Sequence, residues 1–381
     1  MHLSRRDLLA LGLGGAAALV AACGGAPATP APAPAATAKP TTAPAATAAP
    51  TTPAAAPTVA APTAVPAATK PAAGSLTLYS GRTKQLIEPL LTEFSKATGI
   101  EVKTRYGDSA ELAAALLEEG KNSPADVFFS QDAGALGAVA AKGQLAPLPE
   151  TLLKRVEERF RSPKGEWVGL SGRARVVVYN TKELKPADLP DTVAGFTDAR
   201  WKDKLGWAPT NASFQAFVTA LRLLDGEEAA RKWLLGIKAN NAKAFPNNTS
   251  IVEAVSKGEL QAGFVNHYYL FAITKGQIQD YPARNYSPRG GGAGAIINVA
   301  GAGILATAKN TEAAKTLIDY LLATPAQQYF ADQTYEYPLV AGIKVNSLLT
   351  PLAEIKTPNL DLSKLADLEA TLNLLRDTGV V

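Results

Sequence analysis

From Gly24 to Gly74 the chain is built almost wholly of Ala, Pro and Thr, with Lys39 and Lys70 its only charges and no aromatic residue. Such a stretch cannot bury enough apolar surface to offset the entropy of ordering it, so a disordered linker is expected. Its prolines favour extended polyproline II at about 3.1 Å per residue, which makes a spacer of up to roughly 150 Å. Any fold must therefore come from the remainder, Ser75 to Val381. About 300 residues is enough for a large core and usually divides into two lobes.

What precedes the linker reads as an address. Arg5 and Arg6 are followed by an apolar run from Leu8 to Ala22 that ends in small residues before Cys23. A charged start, an apolar stretch of about fifteen residues and a small-residue end describe an export signal over 1–22, shorter than the roughly twenty residues a membrane span needs. The twin arginine suggests export in the folded state. The run into Cys23 resembles a bacterial lipobox, whose cysteine becomes the acylated first residue of the mature chain. Cys23 is the only cysteine, so no intramolecular disulfide is available. Acyl chains contribute about 0.8 kcal/mol per buried methylene. The expectation is an exported lipoprotein, anchored through Cys23 on the extracytoplasmic face, with 23–74 as its tether.

Lys and Arg number 38 against 34 Asp and Glu. With no basic tract interleaved with aromatics, nucleic acid is not an expected partner. No Gly-x-x-x-x-Gly-Lys loop and no Gly-x-Ser-x-Gly elbow occurs, and the Gly290–Gly292 cluster reads as a loop. Beyond His2, one histidine (His267) remains, and no nucleophile–base set is recognisable. An enzyme is not expected.

Short buried strands alternate with helices. Leu76–Tyr79 alternates as a strand, and Leu86, Ile87, Leu90, Leu91 and Phe94 recur at helical spacing. Pro89 predicts that this helix starts near Ile87, with the proline in its first turn. Ile100–Val102 reads as a strand, Asp108 to Gly120 as a capped helix, Asp126–Phe129 as a strand and Ala133–Ala141 as a helix. Val176–Tyr179 is an unbroken buried strand. This α/β alternation predicts mostly parallel sheets with a ligand at the strand C-terminal ends.

Two adjacent phenols, Tyr268 and Tyr269, close the run Gly263-Phe264-Val265-Asn266-His267. With so few soft or borderline ligands in the chain, a metal here would have to be held by oxygen, and phenolate suits a hard, highly charged cation such as Fe³⁺. Eleven tyrosines in 381 residues give roughly 0.3 chance Tyr–Tyr pairs, so the motif needs corroboration.

Corroboration comes from flanking segments. Leu-Tyr-Ser-Gly-Arg-Thr-Lys (78–84), Ser-Pro-Ala-Asp-Val-Phe-Phe-Ser-Gln-Asp (123–132) and Leu-Ser-Gly-Arg-Ala-Arg-Val-Val-Val-Tyr-Asn (170–180) resemble the periplasmic ferric iron-binding proteins. So do Trp-Ala-Pro-Thr-Asn-Ala-Ser-Phe (207–214), Val-Asn-His-Tyr-Tyr (265–269) and Glu-Tyr-Pro-Leu (336–339), in the same order. The resemblance implies a two-lobed periplasmic binding protein fold of class II, each lobe a mostly parallel sheet flanked by helices, with the ligand in the cleft between them. It implies lobe 1 from 75–175 plus 300–350 and lobe 2 from 176–299 plus 351–381. Hinge crossings would lie near Arg175–Tyr179 and Asn298–Ala302, and the helix around Leu362–Leu375 would pack on lobe 2.

It further implies Fe³⁺ bound by Tyr268 and Tyr269 with Tyr179 as a third phenolate, and a monomer delivering iron to an ABC permease and its ATPase. Some relatives carry a His in the first loop, where this chain has Thr83, and a Glu where it has Gln131. The remaining coordination positions would then fall to a synergistic anion, carbonate or bicarbonate. Arg82 would hold it through its planar fork, helped by Asn211, Ser213, Asn248 and Asn266, for which a plain cap or turn role stays open. Arg173 and Arg175 are rivals, with a surface pair or hinge role expected for them, and His267 reads as a supporting or surface residue. The alternative function is binding of another small solute, such as a polyamine, thiamine or phosphonate.

Overall fold

The computed structural model describes residues 74–381. The expected export signal, the lipidation site at Cys23 and the Ala/Pro/Thr linker up to residue 73 lie outside them. Strands are β1 (Gly74–Ser80), β2 (Ile100–Tyr106), β3 (Val127–Ser130), β4 (Leu145–Ala146), β5 (Val168–Asn180) and β6 (Leu205–Trp207). They continue with β7 (Lys243–Ala244), β8 (Ala262–Asn266), β9 (Ala283–Tyr286), β10 (Ile297–Leu305) and β11 (Tyr337–Pro338). Helices α1 (Lys84–Thr98), α2 (Ser109–Glu119), α3 (Ala133–Ala141) and α4 (Glu150–Leu153) fall in the first half. The rest are α5 (Ala212–Asp225), α6 (Glu227–Ala239), α7 (Asn248–Lys257), α8 (Tyr268–Thr274), α9 (Thr311–Leu322), α10 (Thr324–Gln333) and α11 (Leu368–Asp377). Among these described residues no helix is long and apolar enough to cross a membrane.

Strand order runs β2-β1-β3-β10-β5-β8-β6-β7. The α/β alternation read from the sequence is thus realised as a two-lobed fold. β1 pairs in parallel with β2 and β3, and β8, β6 and β7 are likewise parallel. The two groups meet on β5. From Val168 to Ala174 this strand pairs antiparallel with β10, and from Arg175 onward with β8. Its partner therefore changes between Ala174 and Arg175. All thirteen residues of β5 are buried, as expected for a strand covered on both faces.

Asp126, at the head of β3, shows how the first group is fixed. Its buried carboxylate accepts the backbone N–H groups of Thr77, Lys309 and Asn310, each at 2.8 Å. A buried charge is tolerated when hydrogen-bonded in this way.

Two local expectations change. α1 begins at Lys84, a turn earlier than Pro89 suggested, leaving the proline in the helix interior. The Thr83 carbonyl accepts from Leu86 and Ile87 and starts the turn there, and Pro89 sits on the exposed side, where water can serve the carbonyl it leaves free. The C-terminal segment does not form one helix. Leu362–Ala366 is a short 3₁₀ turn on α3, while α11 packs on α5 with a Thr219–Thr371 hydroxyl contact of 2.7 Å. The close approach to α3 depends on Gly137, where a Cβ would lie 2.4 Å from the Ser363 carbonyl oxygen.

Candidate functional site

Three parallel strands, β1, β2 and β3, end side by side at Ser80, Tyr106 and Ser130. The residues that follow them, Gly81, Thr83, Asp108, Gln131 and Asp132, contribute one wall of a cleft of about 460 Å³. Ser109 joins two of these loops, its hydroxyl accepting the Gln131 N–H at 2.8 Å. The position obeys the rule that ligands of α/β sheets bind beyond the carboxyl ends of strands.

The opposite wall is built the same way. β6 runs out at Trp207 into the turn carrying Asn211 and Ser213, and β8 runs out at Asn266 into Tyr268 and Tyr269. The turn caps α5: the Asn211 side-chain oxygen accepts the N–H of Ser213 at 3.1 Å and its hydroxyl at 2.6 Å. Asn248 is buried and ties the two loops together. Its Nδ2 donates to Asn211 Oδ1 at 3.1 Å, and its own Oδ1 accepts the backbone N–H of Asn266 at 3.1 Å. The four polar residues singled out in the sequence therefore form one connected group, with Asn211, Ser213 and Asn266 on the cleft surface and Asn248 behind them.

Tyr268 and Tyr269 both line the cleft, their rings stacked with centroids 4.3 Å apart. Burial raises the Tyr268 phenol well above its ordinary range; the neighbouring Tyr269 pushes the same way and Arg173 opposes. The phenol stays neutral at physiological pH unless a strong cation displaces its proton. Among the described residues, no three His, Cys, Asp or Glu side chains gather into a metal cage. Phenolic oxygen would have to contribute to any metal site here.

Between the two walls runs β5. Arg173 and Arg175 stand two residues apart on one face of it, opposite Asn298 and Asn266 respectively, and both line the cleft. Each is only 3% exposed. Nε of Arg173, and Nε and Nη1 of Arg175, find no hydrogen-bond partner in the protein. Arg175 also lies over the Phe214 and Phe217 rings and donates to the Phe264 carbonyl at 2.9 Å. Burial lowers its pKa to about 9, the behaviour of a cation lacking its counter-charge. Unsatisfied buried donors are costly, so two such guanidinium groups in one cleft are suited to an anion. They are not the surface pair that one reading of the sequence expected, and they flank the point where β5 changes partner.

Arg82 does not fill the role expected of it. It is fully buried and held between Gln131 Oε1 at 2.7 Å and Glu336 Oε1 at 2.8 Å, outside the cleft lining. Both its Nη atoms are already engaged, one by a carboxylate 254 positions away in the chain, and only the buried Nε is left without a partner. Tyr179 is also not brought to the tyrosine pair. It faces Ala262 at the start of β8 and Arg284 on β9, whereas the pair follows the far end of β8, about 13 Å along the strand. Burial raises its phenol, with Arg284 opposing.

His267 is not a surface residue. It is buried, Nδ1 accepting from the Ala174 N–H and Nε2 bonded to the Tyr335 carbonyl, and burial pushes its pKa down to about 4. Asp108 and Asp132 were not singled out as site residues. Standing at the N-cap positions of α2 and α3 they carried no separate signal, but their strand-end positions could have found them.

Residues 122–362 match the family of bacterial extracellular solute-binding proteins. The chain is 35% identical over 317 residues to the major ferric iron-binding protein of Neisseria meningitidis serogroup A, covering 82% of this chain and 95% of that protein. It superimposes on iron-bound HitA from Pseudomonas aeruginosa with a TM-score of 0.75 and 32% identity, over 80% of this chain and 99% of that one. The Trichodesmium protein IdiA (FutA), in complex with iron and citrate ligands, gives a TM-score of 0.72 at 31% identity over 80% of this chain and 99% of its own.

Proposed function

From the premise that the chain belongs to the bacterial extracellular solute-binding proteins, we propose that it captures ferric iron outside the cytoplasm for an ABC importer. As a member of that family it is a binding protein and not an enzyme. Its relatives from Neisseria and Pseudomonas are named for ferric iron or hold iron. The observation that carries the reading is the stacked Tyr268–Tyr269 pair lining a cleft that also holds two buried, incompletely bonded arginines.

In this reading the two phenolates bind Fe³⁺ directly. An oxyanion, carbonate or a carboxylate such as the citrate seen with the Trichodesmium relative, completes the sphere. Arg173 and Arg175 hold the anion, and the Asn211–Ser213–Asn248–Asn266 group orients it. A planar guanidinium fork matches an oxyanion's geometry. The same arginines favour the ionised phenols through their charge.

The lobes assigned as 75–175 with 300–350 and 176–299 with 351–381 would close about β5 and β10. Support for the first crossing is the change of partner on β5 between Ala174 and Arg175. The protein would act as a monomer, tethered through Cys23, and pass iron to a permease–ATPase pair. Adding ferric citrate to apo-protein should produce a visible phenolate-to-iron absorption band. With no band at any iron concentration, a different solute becomes the better reading.

A further inference from the structure

We propose that Asp108 supplies the third anionic oxygen to the metal, from the wall opposite the tyrosines. The inference rests on the ferric reading above and names a ligand which that reading lacks. On the wall made by the ends of β1, β2 and β3, five polar side chains line the cleft: Thr83, Gln85, Asp108, Gln131 and Asp132, of which Gln85 offers only a neutral amide. Gln131 Oε1 is taken by Arg82 at 2.7 Å. Asp132 caps α3, its Oδ1 accepting the Ala135 N–H at 3.0 Å. Thr83 offers a neutral hydroxyl, a poor ligand for a hard trivalent ion beside a carboxylate. Asp108 stands at the N-cap position of α2 yet makes no capping hydrogen bond. Among the described residues its carboxylate has no hydrogen bond or ion pair, whereas Asp132 commits one of its two oxygens to the cap of α3.

The position of Asp108 before a helix would not by itself mark a site. The independent sign is on β5 between the two walls, where Arg173 and Arg175 are each 3% exposed with unpartnered nitrogens. Charge then closes around the ion. Two phenolates and one carboxylate neutralise Fe³⁺, and the two guanidinium groups match a carbonate dianion. Asp108 also joins the two walls through the metal, so that iron holds the cleft shut by bonds from both sides. On binding, its carboxylate displaces a water from the ferric ion, and no electron moves.

The test is a competition titration of ferric iron against citrate, read by visible absorbance, on wild type, Asp108→Asn, Asp108→Glu and the Tyr268→Phe/Tyr269→Phe double variant. Asparagine keeps the shape and the capping capacity, and unfolding of the apo-proteins checks that the fold is retained. Asp108→Asn should keep a visible band, because both phenols remain, but with a displaced maximum and an affinity lower by about 10- to 100-fold. Asp108→Glu should recover part of the loss. If Asp108→Asn matches wild type in affinity and band position while the double tyrosine variant loses its band, the phenolate reading stands and the role of Asp108 is overturned. If wild type gives no band, both fall.

Discussion

The His267 Nδ1 accepts the backbone N–H of Ala174 at 3.1 Å. Its other nitrogen, Nε2, lies 2.7 Å from the Tyr335 carbonyl and donates to it in the neutral tautomer this arrangement requires. Ala174 separates Arg173 from Arg175, and His267 precedes Tyr268. One imidazole therefore holds the phenols and the arginines in a single frame.

That frame has a pH signature. The His267 pKa is pushed down to about 4 by burial, while an unfolded histidine titrates near 6.5. Between these values the unfolded chain binds the extra proton, so stability is complete above about pH 6.5 and is lost as pH falls toward 4, by roughly 3 kcal/mol in all. Urea unfolding of apo-protein at pH 7.5 and 5 should show this loss in wild type and a much smaller one in His267→Gln. Equal losses in the two proteins would contradict it.

Arg82 and Glu336 form an ion pair whose side chains are 0% and 1% exposed, with Ser171 donating to the same carboxylate at 2.5 Å. Removing one partner strands the other charge, so Arg82→Met should destabilise by about 3–5 kcal/mol. Where the variant still folds, the anion dependence of iron binding should be unchanged. An altered bicarbonate requirement would return Arg82 to the ligand site.

For Arg173→Gln and Arg175→Gln the opposite pattern is expected. Each removes a cation that the anion would neutralise, so iron affinity should fall by about tenfold or more with bicarbonate present and by clearly less without it, where only the arginine's support of the ionised phenols is lost. Isothermal titration under both conditions measures the difference. A loss of equal size with and without bicarbonate would argue for a purely structural role.

Tyr179→Phe should leave both affinity and band position near wild type, since the side chain lies by Ala262 and Arg284 rather than by the pair. Loss of intensity on this single change would show that Tyr179 reaches the metal.

The parts of this molecule carried by local pattern were legible in the sequence. The buried run Val176–Tyr179, the helix burying Ile87, Leu90, Leu91 and Phe94, and the adjacency of Tyr268 and Tyr269 needed only spacing to be seen. The roles of the arginines were not, because they depend on partners far along the chain. Arg82 finds Glu336 254 positions away, and nothing near Arg82 in sequence announces that pair. Arg173 and Arg175 did leave a trace, two charges alternating on one face of an otherwise apolar strand. That pattern places both on the same side of a buried sheet, where an unpaired cation demands a reason. Asp108 looked like a helix cap; its place at a strand end and the missing capping bond distinguish it.

Everything in the functional reading depends on the phenols, and a titration with the Tyr268→Phe/Tyr269→Phe double variant tests them most directly. Purified apo-protein is titrated with ferric citrate in bicarbonate buffer at pH 7.5 and at pH 5.5, and followed by visible absorbance and bound iron. Wild type should develop a red-purple band and bind more weakly at the lower pH, because loading the metal must displace phenol protons. The double variant should show no band and bind iron at least about 100-fold more weakly. A double variant that retains the band, or takes up iron as tightly as wild type, would contradict the assignment of Tyr268 and Tyr269 as the ferric ligands.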